Sequence, residues 1–186
     1  VAIASKFFGV GALMLGVALG GVLFAYIVRM AVMTLGALTA ALTNLLYADL
    51  SVGGAVMAAG SRLIGFTWLV EHLGGDERLA KLMFAIAGEN VAGGIAGAAL
   101  VAYLSSITSK KYSAVQYALL SSLTFLVGTL GRGALGRMIE QQGYYHVFIL
   151  TTGIGFLAVV LCLLEWVRIR RLGKAAGLDA AALANA

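Results

Sequence analysis

Five long stretches of the chain carry almost no charge, and each is about as long as a helix that crosses a membrane. Glu89 is the only charged residue in these stretches, which are residues 7–28, 30–48, 82–109, 112–131 and 144–164. Because an α-helix rises about 1.5 Å per residue, about 20 residues cover the roughly 30 Å hydrocarbon core of a bilayer. The pattern therefore predicts an all-α fold, a polytopic bundle of about five transmembrane helices.

The charged and polar residues between these stretches set the predicted boundaries. We predict a transmembrane domain over residues 1–174, with an extracytoplasmic loop at 49–77 and a cytoplasmic tail at 175–186. Only Arg29 separates the first two stretches, and a single helix from 7 to 48 would be about 60 Å long, so a tight turn is needed there. The five helices are expected near residues 7–28, 30–48, 79–108, 113–139 and 144–167.

The predicted loop contains an apolar segment of its own. Small residues from Ser51 to Ser61 are followed by a segment from Leu63 to Val70 that includes Trp68. The segment is too short to span a bilayer, and Trp is favoured at the boundary between membrane and water. We therefore expect a short helix that lies in the interface.

The composition agrees with a membrane protein. Hydrophobic residues make up 61% of the chain and charged residues 11%, against roughly 45–50% and 25% in soluble domains, and the mean hydropathy is +0.98. These values argue against a soluble enzyme and against a disordered chain. The net charge of +5 comes from basic residues scattered between apolar stretches. We therefore expect membrane lipids, and no nucleic acid, as partners.

Residues that support enzymatic or metal chemistry are sparse. Cys162 is the single cysteine, so the chain cannot form a disulfide or a zinc finger by itself. His72 lies near Asp76 and Glu77 but has no second His at a helical spacing, and His146 stands among tyrosines, which is typical of an interfacial anchor. No catalytic triad, Walker loop or dinucleotide fingerprint occurs. We expect no enzyme, no metal and no cofactor.

The basic residues predict the orientation in the membrane. With five spans, one side receives Arg29, Lys110, Lys111, Arg168, Arg170, Arg171 and Lys174. The other side receives Lys6, Arg62, Arg78, Lys81, Arg132 and Arg137, of which the last two fall within an extended fourth helix. The positive-inside rule therefore favours a cytoplasmic C-terminus.

Glycines are spaced for close helix packing. The pairs Gly16 with Gly20 and Gly93 with Gly97 both have the GxxxG spacing, which puts two glycines on one helix face. The chain has no proline, so close approaches depend on such glycines. We expect both faces to pack against neighbouring helices.

Polar side chains recur along the predicted helices. The candidates for contact with a solute are Asn44, Asn90, Gln116, Tyr117 and Ser121. Amide and phenol groups offer directed hydrogen bonds to a polar ligand, but polar side chains in membranes also hydrogen-bond one helix to another. Both interpretations of these residues remain open.

Glu89 lies well inside an otherwise uncharged span. It follows Arg78 by eleven residues, which places it roughly 16 Å deep, near the middle of the hydrocarbon core. A carboxylate there is costly unless it is protonated or paired. Arg132 on the next helix lies roughly 12 Å from the same interface and has a long side chain. Glu89 is thus predicted to pair with Arg132, to exchange a proton or contact substrate, or to bond locally, for example with Asn90.

Three short segments resemble the muropeptide permease (AmpG-type) family of the major facilitator superfamily. They are Glu89–Gly94 (ENVAGG), 102–105 (AYLS) and 113–122 (SAVQYALLSS). The resemblance is strongest from Glu89 to Gly143 and matches the last five of twelve core helices, the distal half of a major facilitator fold. The 49–77 loop is longer than is usual in that family.

The resemblance implies a secondary active transporter that imports muropeptides together with protons across the bacterial inner membrane, for cell-wall recycling. Since the chain begins at Val1 and has an odd number of predicted spans, we expect it to be the distal part of a larger protein, with the N-terminal half as its partner. The alternatives are a major facilitator transporter of another bulky solute and a non-transporting membrane scaffold or sensor subunit.

Overall fold

A computed structural model describes the backbone of residues 2–107 and 113–175, and the side chains of residues 7–105 and 114–173. The described backbone is helical and contains no strand, which confirms the predicted all-α class. The six helices are α1 (Ala2–Tyr26), α2 (Arg29–Ser51), α3 (Ala55–Leu63), α4 (Phe66–His72), α5 (Glu77–Ile107) and α6 (Ser113–Ala175). Lys110, Lys111 and residues 176–186 of the predicted tail lie outside the described residues.

Four of these helices, α1, α2, α5 and α6, are long and apolar enough to cross a membrane. Helix α6 has 63 residues and would be about 95 Å long if straight, roughly three times the hydrocarbon thickness. It has non-helical backbone angles at Gly143, where φ is 80° and ψ is 166°. A residue with a side chain rarely adopts such angles, so this glycine divides α6 into residues 113–142 and 144–175. Helices of this number, length and composition are typical of a multi-pass membrane protein.

Helix α5 lies between α1 and α2. Successive contacts, Gly9 with Ile86 and Gly20 with Ile95, advance in the same direction, so α1 and α5 run parallel. Helix α2 runs antiparallel to α5, because Gly36 meets Ala96 whereas Tyr47 meets Glu89. The core forms where the three helices meet, around Val32, Ile95 and Ala99.

Residues 144–173 pack on the other side of α2. Ala41 lies against Gly155, and the Tyr47 and Phe148 rings stack, so this part of α6 runs antiparallel to α2. No described side chain between 114 and 142 is buried. Helix α2 therefore has packing partners on two sides, whereas the first part of α6 has few within this chain.

The glycine seam between α1 and α5 differs in part from the prediction. Gly16 and Gly20 do pack against α5: a Cβ on Gly16 would lie 2.3 Å from the Val91 carbonyl oxygen. On α5, however, the seam glycine is Gly94, whose added Cβ would lie 2.6 Å from the Leu13 oxygen. Gly93 and Gly97 meet no neighbouring atom within 4 Å in the described part of the chain. The physical reason is rotation: one residue along a helix turns the side-chain direction by about 100°.

The 49–77 segment folds into two short helices, α3 and α4, where the sequence predicted one. Gly54 and Gly65 precede them with φ values of 71° and 72°. The Asp49 carboxylate accepts a hydrogen bond from the Met57 N–H at 2.9 Å, which joins the end of α2 to the start of α3. Both helices pack against α5.

Candidate functional site

Glu89 is hydrogen-bonded to Tyr47. The Tyr47 hydroxyl, on the last part of α2, donates to the Glu89 carboxylate on α5 with an oxygen–oxygen distance of 2.6 Å. Tyr47 is half-buried and Glu89 is exposed within this chain. A hydrogen bond to an ionised group is short and strong, so the phenol can hold the carboxylate without a cation.

The predicted ion pair between Glu89 and Arg132 is absent from the structure. The described residues contain three salt bridges, Arg62–Glu77, Lys81–Glu77 and Arg168–Glu165, and none involves Glu89. Arg132 is exposed in the part of α6 that contains no buried side chain. Glu89 and Arg132 have similar predicted depths along their helix axes. However, α6 packs mainly on α2 and not on α5, and the side chain that bonds Glu89 is Tyr47 of α2.

An aromatic cluster extends the Glu89–Tyr47 pair. The Tyr47 and Phe148 rings are stacked at 5.3 Å, and the Phe148 and Tyr144 rings at 6.2 Å. Offset-stacked rings at such distances stabilise one another beyond the burial of their surface. Tyr47 therefore joins three helical segments: α2, which carries it, α5 through its hydroxyl, and residues 144–173 through its ring.

This cluster lines an open cavity of about 510 Å³ at the end of the bundle where α2 ends and α5 begins. A cavity of this size falls within the range of small-molecule sites. Its wall is formed by Tyr47, Leu50, Ser51, Leu82, Gln142, Gly143, Tyr144, Tyr145 and Phe148. The cavity thus combines aromatic faces with a few hydroxyl and amide groups, and it shares Tyr47 with Glu89.

The amides predicted to contact a solute lie away from this cavity. The Asn90 amide donates to the Ile86 carbonyl at 2.8 Å and lies against Gly9 of α1. Asn44 is half-buried in α2, and Gln116 and Tyr117 are half-buried near the start of α6. None of the four lines the cavity that contains Tyr47.

The hydroxyl groups largely bond within their own helices. Thr34 donates to the Met30 carbonyl at 2.7 Å, and Ser121 to the Ala118 carbonyl at 3.1 Å. This arrangement satisfies a polar group inside the membrane without a partner helix. Ser121 also lines a second open cavity, with Ser122, Phe125, Leu126 and Thr129, on the exposed part of α6.

Helix α5 leaves one face uncovered. Glu89, Gly93 and Gly97 follow one another at four-residue intervals and are all exposed. Because glycine has no side chain, Gly93 and Gly97 leave a depression in the helix surface beside the Glu89 carboxylate. This face is open to a substrate or to another part of the same protein.

Sequence reasoning missed Tyr47, Gln142 and Phe148. Tyr47 was available as a phenol near the end of an uncharged stretch, but its contact with Glu89 joins residues that are 42 positions apart. The sequence predicts an interfacial anchor at His146, which stands beside Tyr144 and Tyr145. Tyr144 and its neighbours cluster at the start of the last uncharged stretch, at the same end of the bundle as Tyr47. That clustering was the signal that could have identified the site.

Comparison with curated proteins finds similarity to three proteins whose names describe them as putative transporters. A Rickettsia felis protein named "Putative transporter AmpG 4" is 36% identical over 86 residues, which cover 46% of this chain and 20% of that protein. A protein of the same name from Rickettsia conorii is 35% identical over 86 residues, with the same coverage. "Putative transporter AmpG 1" of Rickettsia prowazekii is 26% identical over 163 residues, 88% of this chain and 32% of that protein.

The alignments thus cover between about a fifth and a third of the length of these relatives. No family model matches the chain, and no solved structure matches it. The chain is thus similar to parts of proteins named as putative transporters, and its apolar helices are typical of a multi-pass membrane protein.

Proposed function

We propose that the whole protein is a proton-coupled importer of muropeptides of the major facilitator superfamily, to which this chain contributes helices of the distal half. In this proposal the protein lies in the bacterial inner membrane with its C-terminus in the cytoplasm. The observation that carries the proposal is the Tyr47–Glu89 hydrogen bond beside an aromatic cavity. The AmpG names of the relatives and the motif resemblance support the choice of substrate.

The proton site in this proposal is Glu89. An ionised Glu89 accepts the Tyr47 O–H, whereas a protonated Glu89 has an O–H of its own to donate. The hydrogen bond joins α2 to α5, so gain or loss of the proton changes how these two helices are held together. An ionisable residue inside a transmembrane segment is typical of such proton relays.

Tyr47 links the proton site to the solute site. Its hydroxyl bonds Glu89, and its ring forms part of the cavity wall. A muropeptide is amphiphilic, so its apolar faces suit the aromatic rings, and its hydroxyl and amide groups suit the polar edge of the cavity. A solute that shifts Tyr47 changes the affinity of Glu89 for a proton, and by linkage the proton changes the affinity for the solute.

The test is Glu89→Gln in the full-length protein, reconstituted in liposomes and supplied with a labelled anhydro-muropeptide. Gln keeps the shape and hydrogen bonding of Glu but cannot titrate. We expect normal solute exchange without a gradient and loss of accumulation driven by a pH gradient. Unchanged accumulation would reject the proton role of Glu89.

Two controls separate the proton role from a structural one. Glu140→Gln removes an exposed carboxylate of α6 that does not line the cavity, and it should leave accumulation unchanged. If Glu89→Gln abolishes exchange together with accumulation, the residue holds the helices together and does not carry the coupled proton. A wild-type protein that exchanges other solutes but no muropeptide would reject the proposed substrate.

A further inference from the structure

The α3–α4 segment has one face that is buried by protein. Met57 and Ser61 of α3 are fully buried, and Thr67 and Val70 of α4 are nearly so. The Ser61 and Thr67 hydroxyl groups are hydrogen-bonded at 2.8 Å, which joins the two short helices to each other. Phe66 contacts the rings of Phe8 on α1 and Phe84 on α5, both at 6.1 Å. The segment therefore has a defined position on the bundle.

The opposite face is apolar and uncovered. The exposed fraction is between 46% and 88% for each of five large side chains: Leu63, Ile64, Trp68, Leu69 and Leu73. They occur within eleven residues of each other, and so many neighbouring apolar side chains are unusual on a surface that faces water.

The segment connects the ends of two candidate membrane spans. It begins where the candidate span α2 ends at Ser51, and it ends where the candidate span α5 begins at Glu77. Helices of nine and seven residues are about 13 Å and 10 Å long, too short to cross the hydrocarbon core. Through Phe66 the segment also contacts Phe8 near the start of α1, a helix that has exposed apolar side chains of its own, such as Phe7 and Val10.

The charged side chains around the α3–α4 segment do not favour anionic lipid over neutral lipid. Glu77 binds Arg62 at 2.9 Å and Lys81 at 3.7 Å, and the neighbouring Arg78 is exposed. Glu71 in α4 and Asp76 just before α5 add two negative charges, which outnumber the positive charge of Arg78. The surface therefore has no excess of free cations to select anionic headgroups.

We propose that the α3–α4 segment is an interfacial anchor that inserts Leu63, Ile64, Trp68, Leu69 and Leu73 into the headgroup and upper acyl region of the bilayer. The occupant is lipid of any headgroup charge, since apolar area and a Trp at the interface provide the attraction. The anchor fixes the ends of α2 and α5, where the Tyr47 cavity opens, relative to the membrane surface. This proposal is independent of which solute the protein carries.

The experiment attaches an environment-sensitive fluorophore to single cysteines in the full-length protein without native cysteines, in phosphatidylcholine nanodiscs. The cysteines replace Leu69 and Leu73, which lie one helical turn apart, and Glu71, an exposed polar residue between them, serves as the matched control. We expect blue-shifted emission at Leu69→Cys and Leu73→Cys, and loss of most of it when the lipids carry a nitroxide just below the headgroup. The control should emit as in water.

Each other outcome overturns the anchor. Water-like emission at the two leucine positions would mean that the face is solvated. Blue-shifted emission that the lipid nitroxide does not quench would mean that another part of the protein or a second protein covers the face. Quenching that appears only in anionic lipid and is lost at high salt would mean an electrostatic contact, contrary to an apolar one.

Discussion

At the scale of single residues, the two interactions of Tyr47 can be separated. Tyr47→Phe removes the hydroxyl that donates to Glu89 but keeps the ring that stacks on Phe148. A hydrogen bond to a charged group contributes about 1.5–3 kcal/mol, so uptake driven by a pH gradient should fall by about tenfold or more. Solute binding without a gradient should change little. The measurements are initial uptake rates and equilibrium binding in proteoliposomes.

The matched control for this prediction is Tyr26→Phe. Tyr26 is 86% exposed at the end of α1 and does not line the cavity. Tyr26→Phe should therefore leave both the initial uptake rate and the equilibrium binding of the solute unchanged. If Tyr47→Phe were equally silent, the phenol would serve packing alone.

Adjacent glycines of α5 should respond very differently to alanine. In Gly94→Ala the new Cβ would lie 2.6 Å from the Leu13 oxygen and the Val17 nitrogen, so α1 must move away. Overpacking of this kind costs about 1–3 kcal/mol, which we expect as a lower thermal unfolding temperature in detergent. Gly93→Ala meets no atom within 4 Å and should be nearly neutral. Equal losses in the two variants would contradict the seam.

At the scale of elements, Asp49 holds α3 in place. Asp49→Ala leaves the Met57 N–H without its carboxylate acceptor, a loss of about 1 kcal/mol by analogy with helix caps. Amide hydrogen exchange in α3 should then become about fivefold faster. Asp76→Ala is the control, because Asp76 accepts from the Leu79 N–H and should speed exchange only at the start of α5. Unchanged exchange in α3 would contradict the role of Asp49.

The break in α6 depends on one glycine. At Gly143 the φ angle of 80° is strained for any residue with a Cβ, so Gly143→Ala should cost about 1–3 kcal/mol of stability. Gly136, one of the helical glycines of α6 with open space around it, gives the control. Gly136→Ala should be neutral or slightly stabilising, because Ala favours a helix. Thermal unfolding of the purified protein measures both.

The helices themselves could be predicted from sequence because they follow from local pattern. Uncharged stretches of sufficient length must satisfy their backbone groups internally, which in a bilayer makes them helical. This argument located α1, α2 and α5 closely. It could not show that α3 forms from the small residues after Ser51, because that helix depends on Asp49 and on contact with α5.

Contacts between helices could not be predicted in the same way. Counting residues gives depth along a helix axis, and by depth Arg132 matched Glu89. Which way Glu89 points depends on rotation about the axis and on which helix lies beside α5, and both are set by packing. The same limit applied to Gly93 and Gly94, since each glycine is followed four residues later by another small residue, Gly97 or Ala98.

At the scale of the whole molecule, this chain alone should not transport. The face of α5 that carries Glu89 and Gly93 is open, and none of the side chains described for residues 114–142 is buried. A transporter needs a cavity closed from one side at a time, which in many transporters forms between two repeats. Liposomes that contain only this chain should therefore show no saturable, gradient-driven uptake. Uptake should return when the rest of the protein is produced with it, and saturable uptake by the chain alone would contradict this.

The parallel pairing of α1 with α5 also has a consequence for synthesis. Gly16 and its partner Gly94 are separated by α2, α3 and α4, so α1 enters the membrane well before the helix it packs against. At about 5–20 residues per second, the roughly 80 residues between them take about 4–16 s to be made. During that interval the glycine face of α1 is open to any other helix in the bilayer. Slower translation of the segment after α2 would lengthen the time in which this face can pair with the wrong chain.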